Sequence, residues 1–307
     1  MDRYSIGIDL GGTNLRAAAI AEDGRVLGRI SGRTPVEAGP EAILADMAQS
    51  AASLREEFGT GNLAGIGAGV PGNIDMERGV VERWNNVPAF SGCAMREELS
   101  RRLGTAVFLE NDANAAALGE HWMGAGRGVD DLVLLTIGTG IGGGIVSGGR
   151  ILHGHKGMAA ELGHITVVPN GNPCGCGNRG CVEKHASATA VAMMARLAGL
   201  GKDLSAKDVE ELAAQGNVVA QAIYRSAGEA LGIAIASLIN IFNARLYLIG
   251  GGMSAGWDRF APAMLAEVER RSLTYRLTQA TTRIERAALG ADAGLFGSAS
   301  LALLKKS

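Results

Sequence analysis

The sequence predicts an α/β protein built from two related domains. Each half of the 307-residue chain begins with a strand, a glycine-rich turn and a second strand, and then alternates helices with strands. The chain is also longer than one compact core usually takes. We therefore expect two α/β domains that face each other across a cleft. The first spans 1–112 and is completed by a C-terminal helix near 292–307; the second, larger domain spans 113–291.

In the first half, each element is indicated by a local pattern. Apolar runs bounded by turns predict strands, and apolar residues at helical spacing predict helices, of which the first begins at Pro40 and ends at Gly59. The predicted strands are the two around the first glycine turn (YSIGIDLGGTNLRAAAI), one near 26–31, one at 63–70 and one at 105–110. The predicted helices are 40–58, 93–103 and one that follows residue 110 directly.

The second half repeats this start and then becomes mainly helical. Its strand–turn–strand unit is 131–146, and a loop-rich insertion follows at 150–185. Helices are predicted at 187–198, 205–215, 218–242, 257–272 and 292–304, with one strand inside 244–254. Ser205 and Asp208 have the spacing of a capping box, which supports the start of the second of these helices.

Composition excludes several classes of protein. The chain is 47 % hydrophobic and carries a net charge of −2, so no basic excess points to nucleic acid or to an anionic membrane. The first nine residues do not resemble a signal peptide. The longest apolar stretch, 231–242, is too short to span a bilayer. Because the cysteines do not form a disulfide framework, we expect a cytoplasmic protein.

Three glycine clusters are candidates for phosphate binding: 9–14 (DLGGTN), 138–144 (GTGIGGG) and 250–252 (GGG). Turns without Cβ atoms let backbone N–H groups approach phosphate oxygens, and Thr13 and Thr139 add hydroxyl donors. Asp9, at a strand end, is placed to hold Mg²⁺ through water. Each cluster taken alone is better explained by a tight turn. The first two join strand to strand, which argues against a Rossmann or P-loop motif.

Three of the four cysteines lie in the short segment PCGCGNRGCVE. His164, Cys174, Cys176 and Cys181 form a set that suits a tetrahedral zinc site. A redox pair or a metal-free turn are the alternatives, and the Cys-x-Cys spacing is not that of redox motifs. Cys93 lies in a predicted helix, where we expect a small buried hydrophobe.

Asp112 follows a strand directly and begins a helix. An aspartate here is explained equally well as a helix cap or as a general base, since the helix N-terminus favours its ionised form. A base at this place would deprotonate a hydroxyl that attacks a phosphoryl group. The remaining histidines, which are predicted to be solvated or locally satisfied, receive no role: His121, His153, His155 and His185.

Together these motifs resemble known proteins over essentially the whole chain. The glycine hairpins resemble those of the sugar kinase and actin superfold. The segment AAELGHITVVPNGNPCGCGNRGCVEKHAS resembles the zinc-binding signature of the ROK family, whose members are repressors, open reading frames and kinases that act on sugars. One departure is Ala160, where the family usually has glycine before the glutamate.

The resemblance implies a two-domain actin-like (ribonuclease H-like) ATPase fold and an ATP-dependent hexose kinase with Asp112 as the general base. It also implies a structural Zn²⁺ and assembly into a homodimer or a tetramer, as is common in the family. The residues that would bind magnesium–ATP are Asp9, Gly11, Gly12, Thr13, Asn14, Gly138, Thr139, Gly140 and Gly251. The residues that would bind the sugar are Gly72, Asn86, Asn111, Asp112, Glu161, His164 and Glu183, of which His164 is also a zinc ligand.

Several functions stay open at this point. Glucose is the preferred substrate, because the run CVEKHASATA is most similar to the glucokinase branch; mannose and fructose are candidate second substrates, and polyphosphate a candidate donor. N-acetylmannosamine or N-acetylglucosamine kinase is the alternative enzyme. A sugar-responsive repressor is disfavoured, because only eight residues precede Asp9 and the net charge is negative. A sugar-binding protein without catalysis is disfavoured by the intact first glycine motif and Asp112.

Overall fold

The computed structural model describes residues 2–84 and 87–304. Its strands are β1 (Tyr4–Leu10), β2 (Asn14–Ala21), β3 (Val26–Arg33), β4 (Leu63–Val70), β5 (Asn73–Asp75), β6 (Val80–Arg83), β7 (Val107–Asn111), β8 (Leu132–Ile137), β9 (Ile141–Ser147), β10 (Arg150–Ile151), β11 (Leu246–Gly250) and β12 (Arg283–Arg286). Its helices are α1 (Gly39–Phe58), α2 (Met95–Leu103), α3 (Asp112–Met123), α4 (Glu183–Ala186), α5 (Ala188–Leu197), α6 (Ala206–Ala214), α7 (Val218–Phe242), α8 (Trp257–Arg271), α9 (Leu273–Thr278) and α10 (Ala293–Leu303).

Two five-stranded sheets share one plan. The first has the strand order β3-β2-β1-β4-β7, with an antiparallel β1–β2–β3 meander and a parallel β1–β4–β7 set. The second has the order β10-β9-β8-β11-β12, with β8, β11 and β12 parallel. The similar strand–turn–strand start of the two halves, which the sequence indicated, is therefore confirmed as a hairpin that opens each sheet. A separate small hairpin pairs β5 with β6.

The chain divides into two compact units whose bounds differ from the predicted domains. The first unit contains the residues up to Asp130, Gly144–Ala160 and the residues from Ala291 onward; the second contains Asp131–Gly143 and Glu161–Gly290. The predicted boundary after residue 112 would separate α3 from the first unit. The structure keeps α3 there because it packs tightly on α10, where a side chain at Gly297 would collide with the Ala115 backbone.

The core of the first unit follows the sequence pattern. Alternate residues of β1, Ile6 and Ile8 among them, are fully buried. From α1, Ile43, Met47 and Leu54 are buried in the same cluster at helical spacing. Gly59 follows the last residue of α1 and ends the helix, as predicted. α1 covers one face of the first sheet, and α10 packs on the other face, against β1 and β4.

Parallel pairing brings the strand ends of the first unit together. Asp9 pairs with Gly69 in the β1–β4 register, and Val70 pairs with Asn111 in the β4–β7 register. In the second sheet, Gly250 at the end of β11 pairs with Thr136 of β8. The carboxyl ends of parallel strands are the usual place for ligand sites in α/β sheets. The fold therefore brings the predicted site residues of the first unit to one sheet edge and places the second and third glycine clusters at the corresponding strand ends of the second sheet.

α7 is longer than the apolar stretch 231–242 on which the sequence argument against a membrane span rested. With 25 residues and a hydropathy of 1.3, it is long and apolar enough to cross a bilayer, the one such helix in the described part of the chain. However, 67 % of its most apolar window is buried inside the protein, where it packs against α8. Burial against its own fold is typical of a core helix, and this explains its apolar sequence without a membrane.

Several short elements were not predicted, and one residue was misplaced. β5, β6, β12 and α9 have three to six residues each, too few to show a period. Cys93 was expected in a helix; that was wrong, because α2 begins only at Met95 and Cys93 forms a bridge with Val81. It is half-buried, and burial raises the pKa of its thiol. The capping box of Ser205 and Asp208 is confirmed.

Candidate functional site

The first glycine turn is anchored from the neighbouring strand. The N–H of Gly11 donates to the carbonyl of Asn14 at 2.8 Å, which closes the hairpin. Thr34 holds it from the side: its hydroxyl donates to the carbonyl of Gly11 at 2.7 Å, and its N–H to the carbonyl of Thr13 at 2.9 Å. Gly12, Thr13 and Asn14 are exposed. A fixed turn with an exposed glycine tip is suited to binding an anion through backbone N–H groups.

Asp9 lies beside this turn and is largely shielded from solvent. Its side chain is 14 % exposed, and burial raises the pKa of the carboxyl group above its usual range. The Arg16 guanidinium, 3.5 Å away, opposes that rise, and the charge of Asp292 adds to it. Burial disfavours a charged carboxylate unless a cation compensates it. An oxygen ligand in this environment fits a magnesium ion, which usually binds one or two carboxylates and several waters.

The β7–α3 junction carries two of the predicted sugar residues. Asn111 is the N-cap of α3: its Oδ1 accepts from the N–H groups of Ala113 at 3.0 Å and Asn114 at 3.1 Å. Asp112 is the first residue of the helix, and its Oδ1 accepts from the N–H of Ala113 at 2.9 Å. Because Asn111 supplies the cap, the alternative that Asp112 serves as the cap is wrong. The helix N-terminus still favours its ionised form.

Gly72 connects this junction to the strand beside it. The Asn111 side-chain amide donates to the Gly72 carbonyl at 3.2 Å. Gly72 has a φ of +97°, and a Cβ there would collide with the backbone of Arg83, so only glycine fits. Gly72, Asn111 and Asp112 are therefore brought together. Asn86, the remaining predicted sugar residue of this half, lies outside the described residues.

The second glycine turn is anchored by a helix start. The N–H of Gly138 donates to the carbonyl of Gly140 at 2.9 Å. The Gly138 carbonyl accepts from the N–H of Ala188 at 2.8 Å, and the Thr139 carbonyl accepts from the Thr189 hydroxyl at 2.7 Å. The start of α5 thus fixes the turn from behind. Gly251, which has a φ of +80°, packs against the end of β8 just before this turn.

Glu183 joins the second turn to the cysteine loop. Its Oε2 accepts from the N–H of Ile141 at 3.2 Å, and its Oε1 lies 4.0 Å from the Cys174 sulfur. Lys184 also pairs with it, at 3.3 Å. One oxygen of this predicted sugar ligand is therefore engaged by the hairpin, and the carboxylate has a fixed position next to it.

The predicted metal ligands converge. The ligand atoms of His164, Cys174, Cys176 and Cys181 all lie within 4.8 Å of one another. The Cys174 sulfur is 3.6 Å from His164 Nδ1, and the sulfurs of Cys176 and Cys181 are 3.7 Å apart. Zn–S bonds of about 2.3 Å in a tetrahedron place two sulfurs about 3.8 Å apart. The donor set and its spacing therefore fit zinc.

The electrostatics of this cluster also favour a cation. Burial and the neighbouring thiols raise the pKa of Cys181 to about 12, whereas the N–H of Asn178 lowers the pKa of the exposed Cys176. Three thiols packed together resist becoming thiolates unless a metal ion compensates the charge. His164 turns its other ring nitrogen, Nε2, towards Glu161 Oε2 at 3.9 Å. One histidine therefore faces the cysteines with one nitrogen and a predicted sugar residue with the other.

Ala160, immediately before Glu161, is strained. Its φ is +65°, in the left-handed region that favours glycine. The turn after it is closed by the His164 N–H, which donates to the Glu161 carbonyl at 3.0 Å. The departure from the family pattern at Ala160 therefore has a conformational cost next to two predicted site residues.

Sequence reasoning missed the residues that support the site. Thr34 and Thr189 anchor the two glycine turns, and no sequence pattern marks them. His153, which was given no role, lies with Nε2 2.7 Å from Oε2 of Glu110, one residue before Asn111. Glu110 lies 43 positions before His153, so the sequence spacing of the two residues gave no indication that they pair. The only hint was that Glu110 directly precedes the Asn111–Asp112 pair.

Comparison with known proteins gives consistent results. The profile of the ROK family matches residues 5–305. A glucokinase from Thermotoga maritima is 40 % identical over 312 residues, covering 96 % of each chain. The solved structure of a ROK hexokinase from Thermus thermophilus is similar, with a TM-score of 0.85, 36 % identity and 98 % coverage of both chains. The solved structure of a ROK family glucokinase from Streptomyces griseus in complex with glucose and AMPPNP is also similar, with a TM-score of 0.80 and 33 % identity. The match covers 97 % of this chain and 98 % of that chain.

The strain at Ala160 gives a stability prediction. Replacing Ala160 with glycine should raise the free energy of unfolding by about 0.5–1 kcal/mol, because the relief of a left-handed alanine exceeds the entropy that glycine adds to the unfolded chain. Urea denaturation measures the change. Ala159→Gly is the matched control: its φ is not positive, so we expect it to lose about 0.5–1 kcal/mol. A loss of stability in both variants would contradict the strain at residue 160.

Proposed function

Since this chain belongs to the ROK family, we propose that it is an ATP-dependent sugar kinase that transfers the γ-phosphoryl group to the 6-hydroxyl of glucose. Its fold is the two-domain actin-like ATPase fold of its structural neighbours. The observation that carries the proposal is the β7–α3 junction. It presents a carboxylate, Asp112, at a helix start beside a sugar-type hydrogen-bonding side chain, Asn111, that is already fixed by its own partners.

The two glycine turns are proposed to bind the phosphates of ATP. Each turn is closed by its own backbone hydrogen bond and is held by a threonine hydroxyl. The N–H groups of both turns are therefore already in place before a phosphate binds. Asn14 and Gly140 complete the two turns, and Gly251 is the proposed contact for the nucleoside. Asp9 is proposed to hold the Mg²⁺, which would neutralise charge on the phosphoryl oxygens.

Asp112 is the proposed general base. As the sugar oxygen bonds to the γ-phosphorus and the bond from that phosphorus to the ADP oxygen breaks, Asp112 accepts the hydroxyl proton. The N-terminus of α3 favours the carboxylate form, which is the form able to accept that proton. Asn111 keeps one amide hydrogen beyond those used in its observed bonds, and this hydrogen is available to a sugar hydroxyl.

The remaining sugar contacts are proposed on the cysteine side. Glu161, His164 and Glu183 offer carboxylate oxygens and an imidazole nitrogen, which suit the hydroxyl groups of a hexose. A zinc ion held by His164, Cys174, Cys176 and Cys181 would be structural, because four protein ligands leave no open position. With Nδ1 on the metal side, His164 has a fixed ring orientation and can offer Nε2 to the sugar.

The proposal extends to the setting of the enzyme. We expect a cytoplasmic enzyme, since its cysteines would be kept reduced and able to bind zinc there. We also expect a homodimer or a tetramer, following the resemblance to the family.

A substrate panel tests the function. ADP release with magnesium–ATP is measured for glucose, mannose, fructose, N-acetylglucosamine and N-acetylmannosamine. We expect kcat/KM for glucose to exceed every other value by at least about tenfold, or roughly 1.4 kcal/mol of discrimination. A preference for an N-acetyl sugar would assign the protein to the alternative enzyme class. No ADP release with any sugar would leave a binding protein or a repressor.

Substitution of Asp112 tests the mechanism. Asp112→Asn keeps the size of the side chain and removes the base, so kcat should fall by about 10²–10⁴-fold. The dissociation constant for glucose, measured by calorimetry, should stay within about threefold, because most of the proposed sugar contacts are made by other residues. Asp203→Asn, at an exposed position, is the control and should have the wild-type kcat. Wild-type turnover in Asp112→Asn would remove Asp112 as the base.

Elemental analysis and chelation test the metal site. The purified protein should contain about one zinc ion per chain, because one set of four ligands is present among the described residues. Cys176→Ser should lose most of this zinc and melt at a lower temperature. Cys93→Ala, which changes the one cysteine outside the cluster, should retain the zinc. A metal-free preparation with unchanged melting temperature would rule out a structural zinc ion.

A further inference from the structure

Glu110 is a buried carboxylate without an assigned role. Its side chain is 2 % exposed. Its Oε1 accepts from the backbone N–H of Asn111 at 2.9 Å and from the side-chain amide of Asn114 at 3.0 Å. Its Oε2 lies 2.7 Å from Nε2 of His153. A buried carboxylate is stable only with such partners, and a histidine that donates to it is the strongest of the three.

His153 comes from a different segment of the same unit. It follows β10, and the carbonyl of His153 accepts from the N–H of Ala159 at 3.0 Å, which closes the loop 153–159. The hydrogen bond to Glu110 raises the pKa of His153 against the opposing effect of its partial burial. The bond therefore ties the loop that leads to Ala160 and Glu161 to the end of β7.

We propose that His153 and Glu110 form a positioning pair for Asn111 and Asp112; this inference rests on the proposed function. Glu110 supports the junction from below, because its Oε1 accepts hydrogen bonds from the backbone of Asn111 and from the side chain of Asn114. His153 holds the other oxygen and so sets the rotation of the carboxylate. Neither residue touches the substrate in this role.

The consequence of losing His153 follows from this geometry. Glu110 would lose its only partner at Oε2 among the described residues, and a buried carboxylate oxygen without a partner rotates or shifts towards another donor. Either change weakens its bonds to Asn111 and Asn114. A displacement of about 1 Å at a catalytic group can cost about 10²-fold in rate. Because Asp112 acts in the transition state, the loss should appear in kcat more than in KM.

Three variants test the pair in the full-length protein. His153→Ala removes the donor, and His153→Gln replaces it with an amide donor. His155→Ala is the matched control, because His155 is exposed two positions away in the same loop. We expect kcat with glucose to fall about 10–100-fold in His153→Ala, with KM within about threefold. In His153→Gln we expect kcat to recover to within about threefold of wild type, and in His155→Ala we expect wild-type values.

A double-mutant cycle shows whether the two residues act as one unit. Glu110→Gln and the double variant Glu110→Gln/His153→Ala should both have about the kcat of His153→Ala, since the second change removes nothing further. Additive losses would overturn the pair. Equal losses in His153→Ala and His153→Gln, or wild-type kcat in His153→Ala, would overturn it as well. If His153→Ala does not fold, His153→Leu, which also removes the donor but keeps more of the side-chain volume, replaces it in the cycle.

Hydrogen exchange separates this inference from the proposed function. The N–H groups of Ala113 and Asn114, which are held by the Asn111 cap, should exchange faster in His153→Ala than in wild type or His155→Ala. This readout needs no turnover. If the wild type phosphorylates no sugar, the proposed function fails and exchange alone decides on the pair. Unchanged exchange would overturn the pair, whatever the activity.

Discussion

Parallel pairing of β1, β4 and β7 is the interaction on which the first unit's site depends. It fixes three strand ends side by side and therefore fixes Asp9, the turn at Gly72 and the Asn111–Asp112 pair at one edge. None of these residues could be shifted by one position without moving its side chain to the other face of the sheet. Glu110, which is buried beneath this edge, accepts a hydrogen bond from the backbone of Asn111 and so restricts the conformation of that residue.

In the second unit, a loop and a hairpin carry most of the predicted site residues. Glu183 connects the hairpin to the cysteine loop, because it accepts a hydrogen bond from the N–H of Ile141 in the hairpin and contacts Cys174 in the loop. The loop has little regular structure of its own, with only short turns between residues 152 and 182. Cross-linking by a metal ion is a common way to stabilise such a segment. The proposed phosphate turn and the proposed zinc site are therefore parts of one structural unit.

Much of this could be predicted because the signals were local. The glycine turns, the longer helices, the capping box and the four ligands of the cysteine cluster each depend on residues close together in sequence. The pairing of His153 with Glu110 could not be predicted, because spacing carries no information over 43 positions. The place of α3 depended on α10, far along the chain, and the strain at Ala160 became visible only as a backbone angle. Long-range packing and dihedral angles are the two things that a pattern of residue types does not contain.

The contribution of α10 to the first unit has a consequence for synthesis of the protein. This helix, Ala293–Leu303, packs on β1, β4 and α3, which leave the ribosome long before it. Translation of the intervening residues takes on the order of ten seconds or more. During that time the first sheet exposes the apolar face that α10 will cover, whereas the second unit, which ends at Gly290, is fully translated before α10. The unit that is translated first is therefore the unit whose core is completed last, and its apolar sheet face is exposed on the ribosome for the longest time.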